Sequence, residues 1–141
     1  MKSTTPTDLK ILDTIYNMYY ERFATFRKED QSRNDKIYVP IDIDRIANEL
    51  KIDPDIIFGR LYYRLNKIHS YKEWDEKLKT EIKTDLFANM HMHQPHCIHF
   101  PLMASILADL KDNQKKFLIS TWISIISLVI SSLAFSFSLL F

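Results

Sequence analysis

IDIDRIANELKIDPDIIFGRLYYRLNK, residues Ile41 to Lys67, is the stretch that decides the fold of this chain. It divides into two helices about a three-residue turn. Asp42 or Asp44 stands where an N-cap is needed, and Ile43, Ile46, Ala47 and Leu50 then recur on one helical face. Lys51 to Asp53 make the turn. Asp53 before Pro54 reads as an N-cap followed by proline at the first helical position, where the missing N–H costs nothing. The second helix is expected to bury Ile57, Phe58, Leu61, Tyr62 and Leu65.

Working outward toward the N-terminus, KIYVP (Lys36 to Pro40) is a β-branched and aromatic run closed by proline, which fits a brief edge strand. RKEDQSRNDK, from Arg27 to Lys36, holds no apolar residue and is expected to be a solvated loop. Before it, Leu9, Leu12, Ile15, Tyr16, Tyr19, Phe23 and Phe26 follow helical spacing, with Thr7 as N-cap and Asp8 in the first turn. Residues 1–6 read as a flexible lead-in without the apolar core of a signal peptide.

Toward the C-terminus the pattern is at first double. Tyr71, Trp74, Leu78 and Ile82 fit a helix face, with Glu73–Lys77 and Asp75–Lys79 as i,i+4 pairs; Leu78, Thr80, Ile82, Thr84 and Leu86 fit strand alternation. A strand from about Ile82 and another over Cys97 to Phe100 would form a hairpin across HMHQPH, turning at Gln94 and Pro95. Leu102 to Leu110 is expected to be helical.

The final segment is Phe117 to Phe141, FLISTWISIISLVISSLAFSFSLLF, 25 residues without a charged, amide or imidazole side chain. At about 1.5 Å per residue it covers roughly 37 Å, more than a hydrocarbon core of about 30 Å, so a transmembrane helix with modest tilt is expected. The preceding flank carries Lys111, Lys115 and Lys116, which by the positive-inside rule keeps the N-terminal domain cytoplasmic, a tail-anchored, single-pass arrangement, at the inner or plasma membrane if the source is bacterial. Ser120, Ser124, Ser127, Ser131, Ala134 and Ser138 form a heptad stripe of small side chains along the span. Such a face suits close helix packing, hence a homo-oligomer. The ordinary alternative is that each hydroxyl bonds back to the preceding turn.

Before the flank, 16 Lys and Arg balance 17 Asp and Glu, a near-neutral balance that points away from a dedicated polyanion-binding surface. One glycine, Gly59, excludes a glycine-rich phosphate loop, and one cysteine, Cys97, excludes an intrachain disulfide. No nucleophile elbow, metalloprotease helix or framed carboxylate pair is present, so the chain is expected not to be an enzyme and to need no cofactor.

The order of parts resembles the winged helix-turn-helix family. A long first helix and a short strand at Ile37 to Val39 precede DRIANEL as the first helix of the unit, KID as the turn and PDIIFGRLYYRLNK in the place of the recognition helix. Ala47 matches the family's small packing residue and Ile52 its apolar turn residue. The resemblance implies a mainly α (α+β) fold with a β-hairpin wing over residues 7–101, followed by a juxtamembrane helix and basic flank at 102–116 and the single transmembrane helix at 117–141.

The resemblance also implies DNA binding through the recognition helix. The positions that would read bases are Asp53, Asp55 and Ile56, poor groups for a phosphate-lined groove; Arg60, Arg64 and Lys67, with Tyr63 and Asn66 between them, form the candidate phosphate strip. Residues 36–68 hold six basic and five acidic side chains, so a protein partner meeting Asp55, Ile56, Gly59 and Tyr63 is the competing expectation. His91, His93 and His96 are weak metal-ligand candidates beside Cys97 and His99, because no second ligand cluster accompanies them. The remaining alternative is a membrane-permeabilising, pore-forming effector: serines turned inward would line a polar path, with the cytoplasmic domain controlling assembly. The expected partners are therefore the lipid bilayer, further copies of the chain, and DNA or an unidentified protein.

Overall fold

A computed structural model describes residues 4–27, 33 and 35–140; parts of the expected lead-in and of the charged loop, and the last residue of the expected span, lie outside these. The protein is mostly helical, with a small antiparallel sheet and one long apolar C-terminal helix. Helix α1 spans Asp8–Ala24 and is capped by Thr7, whose side chain accepts the Lys10 N–H at 3.2 Å. Its buried face is Ile11, Leu12, Thr14, Ile15 and Tyr19. Strand β1 is Tyr38–Pro40, and helix α2 is Ile43–Leu50, capped by Asp42 through the Arg45 N–H at 3.0 Å. Tyr19 ties these together, its hydroxyl accepting the Asp42 N–H at 2.8 Å. Lys51 closes α2 in the left-handed region at φ 55°, so the sharp turn is made without glycine, at a small conformational cost.

Helix α3 begins as an α-helix over Pro54–Gly59, is wound as a π-helix over Arg60–Asn66 and ends with an α turn over Lys67–His69. Asp53 caps it through the Asp55 N–H at 2.9 Å. Ile57, Leu61 and Leu65 are buried, but Tyr62 is 40 % exposed. The expectation that Tyr62 belongs to the core fails because α periodicity was applied to a segment wound at more residues per turn, which swings successive side chains away from the α-helical stripe.

Two hairpins follow. Strands β2 (Tyr71–Asp75) and β3 (Thr80–Thr84) pair only with each other, while β4 (Phe87–His91) and β5 (Gln94–His99) join β1 in a sheet of order β1–β5–β4. Residues 71–84 are thus two strands about a turn at 76–79 rather than a helix. The cross-strand ion pair Lys72–Glu81, at 2.9 Å, is present where the helical alternative had i,i+4 pairs, and Asp75 instead accepts the Lys77 and Leu78 N–H groups in the turn. The β4–β5 turn lies at Met92 and His93, both at positive φ, rather than at Gln94 and Pro95. A two-residue turn of this hand needs φ > 0 at both central positions, and proline, locked near −65°, cannot supply it.

Helix α4 runs Phe100–Leu140. Phe100 therefore opens a helix rather than ending a strand, and His99 Nδ1 caps it by accepting the Leu102 N–H at 3.1 Å. Phe100, Met103, Ile106 and Leu107 are its buried residues; Phe100 stacks on Tyr16 and Phe23 of α1. Residues up to Leu107 form one compact unit, with a core of Val39, Ile46, Ala47, Leu61, Leu86 and Ile98 among others, and those from Ala108 form a second. The second contains an 18-residue window of mean hydropathy 2.2 with none of it buried, long and apolar enough to cross a membrane.

Candidate binding cleft

The C-terminal half of α3 sits across from β2 and the start of β4 because a polar knot joins them. Asp85, just before β4, accepts from Ser70 Oγ at 2.9 Å and Asn66 Nδ2 at 3.3 Å, and Lys83 Nζ lies 2.8 Å from the same carboxylate. Asn66 Oδ1 in turn accepts the Phe87 N–H at 2.9 Å, and the Asp85 carbonyl accepts the Tyr38 hydroxyl at 2.9 Å. Burial works against the charge on Asp85, but the hydrogen bonds from Lys83, Ser70 and Asn66 outweigh it and hold the carboxyl below its ordinary range. Between these elements lies a cleft of about 980 Å³ lined by tyrosines, lysines and amides.

Three residues of the strip singled out from the sequence, Tyr63, Asn66 and Lys67, line this cleft, and Tyr63 is 70 % exposed. The basic strip itself is divided. Arg60 and Arg64 both turn to Asp8 in the first turn of α1, Arg64 Nε at 3.2 Å, and Arg60 is the more enclosed of the two. The single Asp8 carboxylate thus counters one of the two charges, and Arg64 remains more than half exposed. At the start of α3, Ile56 is exposed, and Asp55 borders a smaller cavity of about 380 Å³ with Asp42, Asp44 and His96.

The cleft's other lining groups, Tyr62, Tyr71, Lys72 and Lys83, were not candidates in the sequence. Tyr62 had been assigned to the core, and the other three lie on a hairpin whose pattern was ambiguous. The adjacent aromatic pair at positions 62 and 63 was the one available signal, since two successive residues cannot share one helical face.

The histidines are dispersed. His91 stacks on Tyr38 at 4.2 Å and reaches Asp35 with Nε2 at 3.2 Å, His93 lies in the turn, and His96 sits by Phe58 and Phe87 at positive φ, interrupting the alternation that would have placed the three on one face. Among the described residues no group of three His, Cys, Asp or Glu is placed to hold a metal.

In the second unit the stripe residues Ser120, Ser124, Ser127, Ser131, Ala134 and Ser138 are exposed along α4. Ser124, Ser127 and Ser131 donate to the carbonyls of Ser120, Ile123 and Ser127 at 2.9, 2.9 and 2.8 Å. Their hydrogens are thus used within the helix, while each hydroxyl oxygen keeps acceptor capacity. Compared with known proteins, the chain matches no family, no curated protein and no solved structure.

Proposed function

We propose that this is a membrane-tethered, winged-helix-like protein that acts by binding rather than catalysis, with its domain on the cytoplasmic side. Support for the winged-helix reading comes from the order α1, β1, α2, α3, β4, β5 and from the sheet order β1–β5–β4, the arrangement of helix, strand, helix pair and wing that the family resemblance implies. The β2–β3 hairpin is an addition between α3 and the wing.

The observation that carries the binding reading is the second half of α3, where Tyr63 and Lys67 project into the cleft and serve no purpose in the core. A large aromatic ring left mostly exposed beside a cationic group, at the edge of a concave surface, is characteristic of a recognition site. Reading of a duplex by the start of α3 is less well supported. Asp53 and Asp55 would face phosphates there, and Asp8 already occupies Arg60 and Arg64.

A photo-crosslinking residue at position 63 of the full-length protein, compared with one at Ile56, tests this in cells. Adducts from position 63 and few from position 56 are expected, whatever the partner's class. Adducts from position 56 alone would move the binding face to the start of α3 and overturn the reading.

A further inference from the structure

We propose that the cleft binds unpaired, phosphate-linked aromatic rings, that is, a short single-stranded oligonucleotide. This rests on the binding reading of the same face and names its ligand class. Three tyrosine rings border the cleft, Tyr62, Tyr63 and Tyr71, at 40, 70 and 44 % exposure, and Tyr62 and Tyr63 meet edge to face at 5.1 Å and 87°. Tyr62 has one face stacked on Phe58 at 5.4 Å, so the more open ring is that of Tyr63, which suits a planar group entering from solvent.

The charge is complementary. Lys67, Lys72 and Lys83 line the cleft against a single carboxylate, Asp85, which is already satisfied by Ser70, Asn66 and Lys83. Among the described residues Lys67 has no ion pair, and the Lys72–Glu81 pair is solvent-exposed on both sides, so its exchange for a phosphate costs little. Aromatic platforms beside a cationic groove are the physical requirement for single-strand binding, since every base has a π-face and every linkage a negative charge. The Asn66 amide is engaged with Asp85, Ser70 and Phe87, while Asn89 adds an amide donor and acceptor to the lining.

The π-helix is an independent pointer. Its seven residues supply Tyr62, Tyr63 and Asn66 to the lining, and π windings are uncommon and concentrate where side chains are placed for function. The shape suits single strands. A cleft walled by α3 on one side and by β2 and β4 on the other admits splayed bases, whereas a duplex groove needs a projecting element. At about 980 Å³ it lies at the upper end of the roughly 300–1,000 Å³ usual for ligand pockets, which suits more than one nucleotide.

The test is fluorescence anisotropy of labelled tetranucleotides with the full-length protein in detergent, beside a 20-residue single strand and its duplex. Binding of the tetranucleotide is expected, weakening with salt by a log–log slope of about −0.7 per phosphate contacted. Tyr63→Ala should reduce affinity about 5- to 150-fold, the loss of one stacking platform, and Tyr63→Phe should restore it. Lys67→Ala and Lys72→Ala should lower both affinity and slope. A gain on the longer strand assigns the ligand to a segment of nucleic acid, and equal affinity assigns it to a free oligonucleotide; either supports the proposal. Duplex binding as tight as single-strand binding overturns it, as does the absence of oligonucleotide binding at about 50 mM salt. If position-63 adducts persist in the latter case, only the ligand class fails and the binding face stands.

Discussion

His99 closes β5 and opens α4, and its imidazole has to be neutral at Nδ1 to accept the Leu102 N–H. Burial holds it below the ordinary histidine range, against smaller upward effects from its own backbone and Asp35. As pH falls from about 6.5 the unfolded chain takes up this proton first, so the contribution is full above that pH and is lost as pH drops through the lowered folded value. The thermal midpoint of the solubilised protein should fall accordingly, and His99→Asn, which keeps a capping acceptor without titrating, should flatten that dependence between about pH 5 and 7. Asp8 does comparable structural service at the other end of the domain, joining α1 to Arg60 and Arg64 of α3. Arg60 Nε is buried without a hydrogen-bond partner, so removing the carboxylate leaves a poorly solvated charge. Asp8→Ala should cost about 1–2 kcal/mol, discounted because both side chains retain some exposure, and Asp8→Ala with Arg60→Met should recover part of it in thermal unfolding.

Among elements, the β2–β3 hairpin stands apart, since none of its residues is buried and Trp74, Leu78 and Ile82 remain open to solvent. Replacing residues 73–82 by Asn-Gly, so that Lys72 and Lys83 flank a two-residue turn, should change stability by less than about 1 kcal/mol, whereas Leu65→Ala in the buried face of α3 should cost about 2–5 kcal/mol. A large loss on excision would show that the hairpin supports the domain. The same contrast explains what the sequence made legible. The bounds of α1, α2 and the start of α3 were readable because Thr7, Asp42 and Asp53–Pro54 act within three residues of themselves. The turn at Met92–His93 was not, because its positive φ angles fall on residues without a turn signature. Nor was the π winding of the segment that carries Tyr62. Of the cleft, therefore, Tyr63, Asn66 and Lys67 are legible in the sequence; the rest depends on a hairpin whose two periodicities are equally good and on long-range bonds from Asn66 and Ser70 to the β4 end.

For the molecule as a whole, the tethered arrangement proposed above makes the side of the membrane on which the domain lies decide which ligands it meets. Lys111, Lys115 and Lys116 precede the uncharged run from Phe117, and Asp112 is the one acid among them. The Lys116–Asp112 pair, 2.7 Å apart and well exposed, is too weakly coupled to neutralise the flank. Since lysines rather than net charge set orientation, the flank should remain cytoplasmic and the apolar end should reach the far side. A buried, unpaired Cys97 is at home in a reducing compartment. A reporter active only outside the cytoplasm, fused after Phe141, should therefore be active, and Glu at Lys111, Lys115 and Lys116 together should reduce that activity by weakening the orientation bias. Activity from a cytoplasm-only reporter at the same point would reverse the topology. It would also remove the cleft from the compartment in which oligonucleotides are made, so this measurement bears on the ligand as directly as any binding assay.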